Sequence, residues 1–125
     1  MKVLLSIKPE FVKKIFDGSK KYEYRKVIFK NPNVESVVVY ATKPLGKVVG
    51  EFSIEKIIYD TPKSIWNLTS EYSGIAADYF QEYFKGRKKG FAIQIHETKK
   101  YSTWKDIEEL NIEQAPQSFR YLTKG

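Results

Sequence analysis

The chain has 125 residues, 22 Lys or Arg against 15 acids, a formal net charge of +7, no Cys and one His. That length can bury one hydrophobic core without staples. The missing thiols exclude disulfides and thiolate metal sites, so neither a cofactor nor a zinc site is expected.

The charge is uneven along the chain: residues 1–50 hold 11 Lys or Arg against four acids, and residues 51–125 balance 11 against 11. A basic excess localised in this way suits a polyanion partner, because each phosphate neutralised releases counterions. Its bland counterpart is a solvated Lys-rich surface.

Val3, Leu5 and Ile7 alternate with Leu4, Ser6 and Lys8, which predicts a first strand with one apolar face. The stretch is too short for a signal segment or a membrane span, and the protein is expected in the cytosol. Pro9 opens a short amphipathic helix with Phe11, Val12, Ile15 and Phe16 on its dry side, Lys13 and Lys14 on its wet side and Gly18 as its stop. From Lys20 to Phe29 the pattern predicts a strand bent near Lys26. The apolar run Val37 to Ala41 reads as a strand buried on both faces, and Lys43-Pro44-Leu45-Gly46 is turn chemistry. A long strand is predicted from Lys47 to Tyr59, with Gly50 marking a bulge or a close backbone approach.

Thr61 and Pro62 have the character of an N-cap and a first helical residue, for a helix carrying Ile65, Trp66 and Leu68. A second helix gathers Ile75, Ala76, Tyr79, Phe80, Tyr83 and Phe84 before Gly86. The basic loop Lys85 to Gly90 leads into a strand with Phe91, Ile93 and Ile95 on one face. Thr103 and Asp106 are spaced as a capping box for a helix with Trp104, Ile107 and Leu110. The tail Ala115 to Leu122 is apolar enough to dock. Without repeats or linkers, one domain over residues 1–125 is expected. Five strands mixed with helices and no βαβ rhythm predict an α+β or β-barrel domain.

Gly18-Ser19-Lys20-Lys21-Tyr22-Glu23-Tyr24-Arg25 fits the spacing G-x-K-x-x-E-x-R after a first strand and a short helix. In this motif and in the element order around it, the chain resembles the ASCH family of the PUA-like superfamily over nearly its whole length. The resemblance implies a PUA-like mixed β-barrel of five or more strands with short flanking helices and a cleft. It also implies a link to RNA metabolism, since members include RNA-binding modules, ribonucleases and a hydrolase of acetylated cytidine.

Glu23 and Arg25 share a strand face, and a bend is needed to bring Lys20 to them. Arg25 offers planar forked donors, Lys20 a point charge, and Glu23 an acceptor for a base amino group. Burial would lower the pKa of Lys20 or raise that of Glu23. The plain alternative is a structural Glu23–Arg25 ion pair that closes the barrel. In the acetylcytidine hydrolases a Thr supplies the nucleophile where this chain has Glu23, the Lys matches Lys20, and a strand carboxylate would be Glu51 or Glu55. A carboxylate nucleophile would give an anhydride rather than an ester, which disfavours that covalent route here.

A ribonuclease reading draws on Tyr40, Lys43 and Ser118. The ligand-binding set is thus Lys20, Glu23, Arg25, Tyr40, Lys43, Ser118 and Arg120, with Lys20 and Glu23 catalytic only if the protein is an enzyme. Lys13, Lys14, Lys21, Arg87 and Lys88 are candidates for a nucleic-acid backbone, and His96 reads as solvated. Two hypotheses remain: a module binding RNA or a nucleotide-like ligand, and a hydrolase of RNA or of a modified nucleoside in the same cleft. The charge split argues against a regulator of protein partners alone.

Overall fold

The computed structural model describes residues 1–122. Six strands, β1 (Lys2–Ile7), β2 (Tyr22–Arg25), β3 (Ser36–Ala41), β4 (Lys47–Asp60), β5 (Gly90–Lys105) and β6 (Phe119–Leu122), form one mixed sheet in the order β2-β5-β4-β3-β1-β6. Only β1 and β3 pair in parallel; every other neighbour is antiparallel. Three helices accompany the sheet, α1 (Pro9–Asp17), α2 (Pro62–Thr69) and α3 (Ala77–Tyr83). The ladder is open, with β2 and β6 at its edges, so closure into a barrel rests on no backbone pairing among the described residues.

The two-residue period of the strands sorts their side chains into separate cores. Val3, Leu5 and Ile7 of β1 and Val37, Val39 and Ala41 of β3 pack with Val12 and Ile15 of α1. Leu4 and Val38 point to the other face, where Val48 and Ile112 join them. A third cluster of Tyr24, Ile65, Phe80, Phe84 and Ala92 holds α2 and α3 to the β2–β5 end of the sheet. Each fully buried Leu, Ile or Phe contributes roughly 1.5–3 kcal/mol. The helix ends follow their chemistry: Thr61 Oγ1 accepts from the Ser64 amide at 3.2 Å, and Gly18 closes α1 at φ 88°.

Three expectations change. The tail adds a sixth strand, because Phe119 to Leu122 pair with β1. β2 stops at Arg25, since Ile28 and Phe29 leave the ladder and pack into the core beside α1. Thr103 caps nothing: β5 continues through Trp104 to Lys105, and Thr103 lies in the irregular stretch between the Lys100–Gly50 and Lys105–Val48 pairings with β4. The capping box instead joins Asp106 and Glu109, with the Asp106 amide donating to Glu109 Oε2 at 2.8 Å, and it opens a 3₁₀ turn at Ile107–Leu110. Trp104 is 46% exposed on the strand.

Gly50 is a close approach and a bulge together, since the β4 register shifts between Val48 and Gly50. A Cβ there would come within 2.6 Å of both the Lys99 carbonyl oxygen and Phe16 Cζ. Gly50→Ala is therefore expected to destabilise the fold by about 1–3 kcal/mol, the cost of overpacking, read as a lower urea midpoint at an unchanged m-value.

Candidate functional site

The path of the chain after α1 carries Lys20 inward. Gly18 in the left-handed region ends the helix, and Asp17 Oδ1 accepts from both the amide and the hydroxyl of Ser19, at 2.8 and 2.7 Å. The Lys20 amide then donates back to the Lys14 carbonyl at 3.0 Å. This knot points the Lys20 side chain beneath the α2–α3 connection. Its stem lies on Gly74, where a Cβ would meet Lys20 Cβ at 2.5 Å, and Gly74 itself sits at φ +69°.

Lys20 is 2% exposed and Glu23 6% exposed. Lys20 Nζ donates to the Ser73 carbonyl at 2.7 Å and lies 4.8 Å from the Tyr24 ring centroid and 5.2 Å from that of Phe11. No carboxylate lies within 4.0 Å of it among the described residues. Burial pushes its pKa down to about 8, against an upward pull from Glu23 and a further downward push from Lys14. Glu23 is paired with Arg25 at 3.3 Å.

Arg25 is largely committed to the backbone. One of its terminal nitrogens donates to the Ser6 carbonyl at 3.3 Å as well as to Glu23, and the other donates to the Ser118 carbonyl at 2.7 Å. One guanidinium thus links edge strand β2 to β1 and to the residue preceding β6.

These groups surround a cavity of about 140 Å³, whose polar wall includes Lys20, Glu23 and Arg25 with Ser6 and Lys8, and whose aromatic wall is Phe11, Tyr24, Tyr79 and Tyr83. The Tyr24 hydroxyl and Thr69 Oγ1 are 2.7 Å apart, and Thr69 spends its own proton on the Ile65 carbonyl. Tyr24 must therefore donate to Thr69, away from the cavity, and burial raises its pKa to about 12. What Tyr24 offers a ligand is its ring.

The structure brings Lys20, Glu23 and Arg25 together as lining residues and adds Ser118 through its carbonyl. It does not bring Tyr40, Lys43 or Arg120 to that lining: Tyr40 packs with Leu4 and Val38 on the other sheet face, Lys43 is in an exposed turn, and Arg120 borders a separate groove with Glu113. Of the strand carboxylates, Glu51 accepts from Lys2 and Tyr101, and Glu55 pairs with His96 Nδ1 at 2.9 Å in another exposed setting. Lys14 Nζ donates to the Gly74 carbonyl, Lys21 lies over the Tyr72 ring, and Lys13 is exposed. Sequence reasoning missed the aromatic wall. Its one signal was the four-residue spacing of Ile75, Tyr79 and Tyr83, which reads equally well as core.

The family model of the ASCH domain matches residues 5–115. The chain belongs to the ASCH domain family. Its ASCH fold covers 98% of the chain and 88% of the crystal structure of ASCH from Zymomonas mobilis, at a TM-score of 0.90 and 25% identity. The ASCH domain-containing ribonuclease of Zymomonas mobilis is 27% identical over 97% of this chain and 84% of its own length. Two Ureaplasma parvum proteins also match over 96% of the chain, ATP synthase subunit alpha at 35% identity and large ribosomal subunit protein uL22 at 31%. This chain spans only 15% and 39% of those two proteins, so what they do as wholes is not carried over with the shared stretch. No helix among the described residues is long and apolar enough to cross a membrane.

The lowered pKa of Lys20 makes stability depend on pH with a fixed sign. Between the folded value near 8 and the ordinary 10.5 the unfolded chain binds more protons, so the penalty for burying the charge is complete below pH 8 and is relieved as pH rises. Its size is roughly 3 kcal/mol, at about 1.4 kcal/mol per pH unit. The wild type is expected to gain about that much stability relative to Lys20→Met between pH 7 and 10.5. Denaturant unfolding of both proteins across that range measures it; parallel profiles would show that Lys20 titrates normally.

Proposed function

We propose that this ASCH domain binds RNA and seats one base or nucleotide-like group in the Lys20–Glu23 cavity. The observation that carries the reading is a buried ammonium and a buried carboxylate that border one cavity without a direct ion pair between them. Glu23 has Arg25 as its ionic partner, but Lys20 has no carboxylate within 4.0 Å among the described residues, and an unpaired buried charge is costly; a ligand with both an acceptor and a donor edge would meet Lys20 and Glu23 together. A nucleobase has such an edge and a flat face for the aromatic wall. The cavity volume is close to the ~150 Å³ that accepts a benzene ring, which suits one heterocycle and leaves sugar and phosphate outside.

Within this reading Lys20 and Glu23 contact the ligand, while Arg25, occupied by two carbonyls, positions Glu23. The same interaction is read as the seam of a PUA-like barrel, with a guanidinium standing in for the missing strand pairing. Lys13, Lys14 and Lys21 on the basic first part of the chain supply backbone contacts. The name of one relative, an ASCH domain-containing ribonuclease, points toward RNA.

A ribonuclease acting in the same cavity is the second reading. A lysine with a pKa near 8 can exchange a proton close to neutrality, and one relative carries that activity in its name. Covalent hydrolysis of acetylcytidine is not expected, because Glu23 stands where a hydroxyl would be needed.

Lys20→Met separates the two readings. A binder should lose about 10- to 100-fold in affinity for a short RNA, the worth of one charge-assisted contact, followed by fluorescence anisotropy. A nuclease should lose turnover by orders of magnitude with little change in KM. The first outcome is expected; RNA affinity unchanged by Lys20→Met would remove the cavity from the function.

A further inference from the structure

A second concave surface lies on an adjacent face of α3. It is a groove of about 480 Å³ with Pro62, Lys63, Trp66, Phe84, Arg87 and Lys88 among its lining residues, and no carboxylate contributes to it. The Trp66 indole rests on Phe80 at 4.7 Å, is half-buried and borders the groove.

The turn after α3 sets out Lys85, Arg87, Lys88 and Lys89 within five residues, all exposed. The turn has a defined shape: Gly86 is at φ +80°, and the Arg87 amide donates to the Phe84 carbonyl at 2.9 Å. Neither these four cations nor Lys63 has an ion-pair partner within 4.0 Å among the described residues. Favourable interaction with a helix C-terminus accounts for a cation or two in the last turn. It does not account for a cationic rim around an aromatic groove.

The groove and the Lys20 cavity share α3 as a wall. Tyr79 and Tyr83 face the cavity, and Phe80 and Phe84 face the groove. Lys26 Nζ lies 4.8 Å from the Tyr83 centroid, beside the end of the helix where the basic turn begins. A helix is about 10 Å across, so a strand that fills both sites must pass around part of it.

We infer that this groove is a second subsite for single-stranded RNA, in which a base stacks on Trp66 and the adjoining phosphates meet Lys63, Arg87 and Lys88. The subsite rests on the RNA-binding reading of the domain but uses none of the cavity residues. It makes a longer strand bind better than a short one, through stacking and charge neutralisation.

The test uses Trp104→Phe, which leaves Trp66 as the sole tryptophan, with uridine oligonucleotides of four and twelve residues and a poly-glutamate of similar charge. The twelve-residue RNA is expected to quench Trp66 emission. Adding Arg87→Ala and Lys88→Ala should weaken its binding about tenfold and flatten the log–log salt slope by about 1.4, at about 0.7 per single-strand phosphate, while four-residue binding stays the same.

Lys20→Met in that background decides the cavity separately, because it acts on four-residue binding and leaves the quench by the longer RNA in place. An unquenched Trp66 together with a salt slope indifferent to the double alanine variant would overturn the subsite, whatever Lys20→Met does. Quenching by poly-glutamate but not by RNA would also overturn it, in favour of an acidic protein partner.

Discussion

An ammonium group held out of water sets the terms for the middle of this molecule. Even after relaxation, burying one ion costs several kcal/mol, and the neighbourhood of Lys20 is organised to meet that cost. The Ser73 carbonyl takes one of its protons, two ring faces supply negative quadrupole, and Glu23 adds its field from across the cavity. These partners come from α1, β2 and the α2–α3 connection, so one charge fixes how three separate stretches of chain sit together. A hydrophobic residue of similar length would satisfy packing alone and would remove the field that Lys20 and Glu23 exert on each other.

Arg25 plays a different part. Its planar fork reaches carbonyls of β1 and of the residue before β6, a role that a point-charge lysine fills poorly. Edge strand β2 has no backbone pairing with β1 or β6 among the described residues, and the Arg25 side chain is what joins it to β1 and to the residue before β6. The carboxylate of Glu23 is thereby oriented from the sheet, and the ammonium of Lys20 from the helices. Each charge is held by a different layer of the fold.

Much of the fold was legible along the chain. Helix α1 and its Gly18 stop, the cap at Thr61 and the bulge at Gly50 each depend on a local steric or hydrogen-bonding rule, and each appears where the residues indicate. The misread at Thr103 has the opposite cause: spacing matched a capping box, but pairing of Lys100 and Lys105 with β4 on either side keeps the chain between them in the strand. The sixth strand was hidden because Phe119 to Leu122 pair with residues more than a hundred positions away.

The site divides in the same way. Lys20, Glu23 and Arg25 are neighbours in sequence and could be grouped from it, whereas Tyr79, Tyr83 and the Ser73 carbonyl reach the cavity only through tertiary packing. Ser118 lay in the suspected set for its side chain, and its carbonyl is what engages Arg25.

The contact between the Lys20 stem and Gly74 has an evolutionary corollary. The two positions are 54 residues apart, yet the space a side chain at 74 would fill is already taken by methylenes of residue 20. A lineage that keeps the lysine therefore holds the glycine with it, whereas one that shortens residue 20 lifts the steric bar at 74 but still meets a left-handed backbone there, at φ +69°, which favours Gly or Asn.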